Sequence, residues 1–184
     1  TGGYLDRRNL ESIVKLIENY SDKDVLFTIK LNSKLRRWTK RIYKQHLKNL
    51  SKDSRVKIIT DTFDRLEYKN FIKSYDINLA PSKFEGYGLT LLESLYCRVP
   101  TITFDASPMN EIVKHNKNGL CMPCFKIDQV NNQPIYQVDE EVFLENFTML
   151  VKNKELINHF KKNSSLYLDT LIKTFKNDIE EVLA

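Results

Sequence analysis

The 184-residue sequence predicts an α/β domain, a parallel sheet wound on both faces by helices and followed by a helical tail. Two patterns carry this expectation. From Leu10 to Met122 short apolar runs alternate with stretches of helical periodicity, and from Val142 onward only the helical period remains. Strands that alternate with helices pair in parallel, because each connection must cross over the sheet, nearly always right-handed. The length suits one domain with one core.

Taken in order, Thr1-Gly2-Gly3 reads as the end of a first strand whose beginning precedes the sequence, so the chain looks like a piece of a longer protein. Leu10, Ile13, Val14, Leu16 and Ile17 recur at helical spacing up to Tyr20, and Val25 to Leu31 then reads as a buried strand. Leu35, Trp38 and Ile42 predict a second helix, Val56 to Ile59 a short strand, and Leu66, Phe71, Ile72 and Tyr75 a third helix. Asp76 to Ala80 is a strand closed by Pro81, Leu89 to Cys97 a helix, and Pro100 to Phe104 a strand. Pro108 to Lys114 is a short helix opened by Ser107, and Gly119 to Met122 a last strand. Asn131 to Pro134 reads as a loop. Val142, Phe143, Phe147, Leu150, Leu156, Ile157 and Phe160, then Leu166 through Leu183, form the helical tail. The sum is a single Rossmann-like domain over 1–184, with its core over about 1–125 and its tail over about 139–184.

Hydrophobic residues at 41% and charged residues at 29% describe an ordinary globular chain and not a disordered one. No apolar run approaches the roughly 20 residues that span a bilayer, and no signal segment opens the chain, so a cytoplasmic setting is expected. Three cysteines, an odd number, argue against a disulfide framework. The net charge of +5 favours anionic partners. A phosphorylated small molecule satisfies that as well as nucleic acid or an acidic lipid surface does.

Ligands of open parallel sheets bind beyond the carboxyl ends of the strands. After the strand Asp76 to Ala80 the chain runs Pro81-Ser82-Lys83-Phe84-Glu85-Gly86-Tyr87-Gly88-Leu89-Thr90-Leu91-Leu92-Glu93. Gly86 and Gly88 allow a tight turn and a close approach of ligand, and the helix that follows points free N–H groups and its positive end outward. That suits a phosphate. Glu85 and Glu93 bracket the turn, and a carboxylate accepts two hydrogen bonds from a vicinal diol, which suits a sugar at one end and a ribose at the other. The plain alternative is a tight strand-to-helix connection with two solvent-facing glutamates. A dinucleotide fingerprint fits less well, since GYGLTL lacks the third glycine and follows a late strand.

SKFEGYGLTLLESLYCRVPTI resembles the signature of the large retaining group of nucleotide-sugar glycosyltransferases with the GT-B fold, group 1 or family 4, whose two glutamates are separated by seven residues as Glu85 and Glu93 are. The likeness extends through DINLAPS, VPTITF, Ser107 to Glu111 and Asn118-Gly119-Leu120, covering roughly Gly2 to Met122. The resemblance implies one Rossmann-like half of a GT-B fold, with Glu85 on the donor sugar and Glu93 on the ribose. It implies the diphosphate on the amides of Gly88, Leu89 and Thr90, within a turn completed by Gly86 and Tyr87. Arg8 takes the family's lysine position and would neutralise the leaving diphosphate, with Arg7 its neighbour. Gly3 stands where the family has a further basic residue, and Lys83 or Lys34 would supply that charge instead. Glu85 and Arg8 are thus the expected catalytic residues. The reaction implied is transfer of a hexose from a nucleoside-diphosphate sugar to an acceptor hydroxyl with retention, with no protein nucleophile, metal or other cofactor. The acceptor, a glycan, lipid or protein, would be met by an N-terminal half absent from this sequence, leaving the piece alone weakly active or inactive.

Two other readings stand beside this one: a non-catalytic module of the same fold that scaffolds a partner, and a surface for nucleic acid or acidic membrane built on Lys34 to Lys48. In that stretch Arg36, Arg37, Lys40, Arg41 and Lys44 surround Trp38 and Tyr43 at helical spacing, which reads first as a solvated helix face. Peripheral membrane contact is left open and nucleic acid is not expected. Cys121 and Cys124 have redox or zinc spacing but no second ligand pair, and read as structural. His46, His115 and His159 share no spacing with a carboxylate pair and are given no catalytic role.

Overall fold

The computed structural model describes residues 7–31 and 37–183. The strand expected to end at Thr1 to Gly3 and the start of the basic stretch, Lys34 and Arg36, lie outside them. The described chain begins with α1 (Leu10–Asn19), which follows Asn9 in the left-handed region at φ 53° and buries Leu10, Val14, Leu16 and Ile17 along one stripe. Next come β1 (Phe27–Lys30), α2 (Arg37–Leu50), β2 (Val56–Ile59) and α3 (Arg65–Lys73). Asp64 and Glu67 close a capping box that fixes where α3 starts. β3 (Asn78–Leu79), α4 (Leu89–Tyr96), β4 (Thr101–Phe104), α5 (Met109–Ile112) and β5 (Gly119–Met122) continue the alternation.

All strand pairs in this stretch are parallel: β1 with β2, and β3 with β4 with β5. Every residue of β4 and β5 is buried, the pattern of strands covered on both faces, whereas β1 alternates. Gly119 is obligatory in β5, since a Cβ there would meet the Thr101 carbonyl oxygen at 2.4 Å. Across a cavity of about 1080 Å³ the residues of β1 face those of β3, and among the described residues no strand pairs with either of those edges.

Two expectations are corrected after Met122, the first being that Gly119 to Met122 is the last strand, since two more follow it. Asn131 to Pro134 is not a loop. β6 (Phe125–Val130) and β7 (Gln133–Gln137) form an antiparallel hairpin whose turn is Asn131 and Asn132 alone, at φ 48° and 63°. Two successive positive φ values match the turn that follows the right-handed twist of paired strands, and asparagine tolerates that region. Elsewhere among the described residues the expected elements are present: β2 and β5 keep their expected bounds, α2 runs on to Leu50, and others are shorter, as with the two residues of β3 and the single turn of α5.

The tail consists of α6 (Glu140–Lys152), capped by Asp139, and the 30-residue α7 (Lys154–Leu183). The first half of α7 packs on this domain through buried Ile157, Phe160 and Ser164, and Tyr167 Oη donates to the Glu111 carbonyl at 2.8 Å. Beyond Leu171 its residues are exposed as far as Glu181, including Ile172, Phe175 and Ile179. No helix among the described residues is long and apolar enough to cross a membrane.

Candidate functional site

The loop after β3 and the loop before α1 meet at the carboxyl ends of the strands. Their backbones are joined, Lys83 N–H donating to the Arg7 carbonyl at 2.9 Å. Glu85, only 5% exposed, sits between the two guanidinium groups. Arg7 Nη1 donates to its Oε2 at 3.0 Å, Arg8 Nη1 pairs with its Oε1, and Ser82 Oγ donates to Oε1 at 2.9 Å. Burial of a carboxylate at this depth is tolerable only with such partners. Three of its roughly four acceptor sites are filled, which leaves one on Oε2.

Arg8 Nη1 also reaches the Thr90 hydroxyl at 2.9 Å, so one guanidinium ties the glutamate loop to the first turn of α4. Burial lowers the Arg8 pKa, an effect that the Glu85 charge opposes. The turn itself depends on Gly88, which caps α4 from the left-handed region at φ 74°, where an added Cβ would meet Ile112 Cδ1 at 2.8 Å. The N–H groups of Leu89 and Thr90 have no partner among the described residues, as the first turn of a helix requires. Gly86 serves differently: beyond its chain neighbours, no atom of the described residues lies within 4 Å of where its Cβ would be. Tyr87 and Leu89 are exposed.

Glu93 stands apart from this group. Its Oε2 accepts from Tyr68 Oη of α3 at 3.5 Å, and among the described residues no arginine touches it, although the Arg8 charge acts on it. Burial raises its pKa above the ordinary value, with Tyr68 and Arg8 opposing. The Tyr68 hydroxyl is pushed up in turn, by burial first and then by the Glu93 charge.

The structure therefore joins Arg7, Arg8, Glu85 and Thr90, holds Lys83 in the same backbone network, and sets Glu93 next to Tyr68 instead. Gly3 lies outside the described residues. Sequence reasoning missed Ser82 as a partner of Glu85, and it missed Tyr68, which no spacing ties to the motif. Cys121 and Cys124 are free thiols donating to the carbonyls of Val113 and Asp105, and burial pushes Cys121 up to about 12. His115 accepts from the Cys121 amide at 3.1 Å, a structural contact.

A parallel α/β sheet with this loop-and-helix site at its carboxyl edge, followed by a long C-terminal helix, defines a Rossmann-like domain of the GT-B type. The family model described as glycosyl transferases group 1 matches residues 39–167, well over half of the chain. The chain belongs to that family. Among curated proteins nothing matches. Among solved structures, the C-terminal domain of the group 1 family protein LpcC from Francisella tularensis has a TM-score of 0.69 at 15% identity, over 90% of this chain and 80% of that one. HepE from Anabaena, solved with UDP-glucose, has a TM-score of 0.75 at 13% identity, over 97% of this chain and 45% of that one. The pneumococcal O-GlcNAc transferase GtfA, solved with UDP and GlcNAc, has a TM-score of 0.67 at 20% identity, over 97% and 34%. The chain thus spans less than half the length of the latter two, and likeness at such identity is one of fold.

Proposed function

We propose that this domain binds the donor of a retaining glycosyl transferase that moves a hexose from a nucleoside-diphosphate sugar to an acceptor hydroxyl. The observation that supports it best is the Arg8 guanidinium, bonded to Glu85 and Thr90 beside the open amide end of α4. A leaving diphosphate needs positive charge and N–H donors fixed in advance where its charge develops, and that corner supplies both. Glu85 is then the donor-sugar contact through its remaining acceptor site, and Glu93 the acceptor for ribose hydroxyls. Gly86 leaves room for the ligand, and Arg7 holds Glu85 so that Arg8 can be shared with phosphate. In the reaction the bond from the sugar's anomeric carbon to the diphosphate breaks as the acceptor oxygen bonds on the same face, and the acceptor's proton passes to an oxygen of the leaving diphosphate. The charge of the leaving group falls to Arg8 and the α4 amides, without a resident metal. The UDP held by HepE and GtfA makes uridine the first base to try.

An N-terminal half would bring the acceptor, and the exposed stripe Ile172, Phe175 and Ile179 of α7 is a surface on which that half would rest. Calorimetric titration of UDP, GDP, ADP and their glucose or mannose conjugates tests the reading. Binding of one such pair is expected, and heat from none of them would refute it.

A further inference from the structure

The β6–β7 hairpin lies against both loops of the site. Tyr136 N–H donates to the Lys83 carbonyl at 2.8 Å, and the Gln133 side-chain Nε2 donates to the Glu85 carbonyl at 2.8 Å. Four residues on, and so on the same face of the strand, Gln137 Oε1 accepts from Asn9 Nδ2 at 2.7 Å. Asn9 is fully buried, left-handed, and directly follows Arg8. One strand thus holds the peptide that carries Glu85 and the residue that follows Arg8. The two-residue turn at Asn131 and Asn132 sets the register that brings Gln133 and Gln137 to these partners.

We propose that Gln133 and Gln137 are positioning residues for the donor: Gln133 orients the Glu85 carboxylate through its backbone, and Gln137 orients Arg8 through Asn9. The inference rests on the donor-binding reading above. Gly86 follows Glu85 with no described residue packed on its Cβ side, so among the described residues nothing on that side restrains the peptide if Gln133 lets go. A side-chain N–H donor at 133 is needed. A carboxylate there would face the Glu85 carbonyl without a proton to give, whereas a lysine, of similar reach, still donates.

The test uses UDP and UDP-glucose on wild type, Gln133→Ala and Gln133→Lys, with amide exchange of Lys83 followed in the same proteins. Gln133→Ala is expected to weaken UDP-glucose by about fivefold, the worth of one hydrogen bond, while UDP changes by less than twofold. Gln133→Lys is expected to restore the difference. Lys83, whose N–H is bonded to the Arg7 carbonyl, should exchange faster in Gln133→Ala than in wild type. Equal weakening of both ligands, no weakening of either, or a failure of lysine to rescue overturns the proposal. So does unchanged Lys83 exchange, whether or not any ligand binds. If wild type binds neither UDP nor UDP-glucose, the same comparison is made with the GDP or ADP pair that it binds; binding of none removes the donor role itself, and the exchange result then still decides whether Gln133 holds the loop.

Discussion

The two glutamates of one motif occupy opposite environments. Glu85 is locked among Arg7, Arg8 and Ser82, with nearly all of its accepting capacity filled. Glu93, eight residues further on, is half-buried with one long contact to Tyr68, and burial raises its pKa. The difference teaches that the first carboxylate is part of the architecture of the site, while the second keeps most of its accepting capacity open, as the proposed ribose contact requires.

The largest effect that separates the two corners is on stability. Arg8→Ala leaves Glu85 buried with Arg7 and Ser82 alone, and should cost about 3 kcal/mol, toward the lower end for breaking a buried pair. Urea denaturation measures it, and a loss below about 1 kcal/mol would mean that Arg7 suffices. Glu93→Ala should leave stability nearly unchanged and weaken nucleotide binding by about 2 kcal/mol, the scale of a hydrogen bond to a charged group. Calorimetry beside a melting curve would show this; a destabilised variant with intact affinity would reverse the assignment.

Between the corners, the glycines should differ as well. Gly88→Ala should cost about 2 kcal/mol, from a left-handed backbone and the clash with Ile112, whereas Gly86→Ala should stay within about 0.5 kcal/mol. Equal losses in chemical denaturation would erase the distinction.

The smallest effect is one of pH. The pKa of Glu93 is raised by folding, so the folded state holds its proton longer than the unfolded one, and its contribution to stability is lost as pH rises through the folded value. Glu93→Gln removes that loss. Relative to wild type the variant should gain stability between pH 4, below the ordinary value of 4.5, and pH 7. A flat or opposite trend in paired denaturation curves would argue against burial as the dominant influence.

Much of the fold was legible because burial on two faces writes itself as short runs of apolar and β-branched residues without charge, as in Thr101 to Phe104 and Gly119 to Met122. The turn at Gly86 to Gly88 was legible because few residues cap a helix from the left-handed region. The hairpin was not. β6 is exposed throughout, and β7 is half-buried at every position, without alternation and with Pro134 near its start. Only the Asn131-Asn132 pair, flanked by Phe125 to Val130 and Ile135 to Val138, could have signalled it. The Arg8–Glu85 pair was hidden for another reason: 77 residues separate its members, and spacing carries no record of which loops the sheet brings together. Tyr68 was hidden likewise.

The division of labour between the carboxylates is tested most directly by titrating UDP and UDP-glucose into wild type, Glu85→Gln and Glu93→Gln. The expected result is that Glu85→Gln loses affinity for UDP-glucose while UDP still binds, which also shows the variant folded, and that Glu93→Gln weakens both alike. Equal losses in Glu85→Gln, or undiminished binding of both ligands in Glu93→Gln, would contradict it.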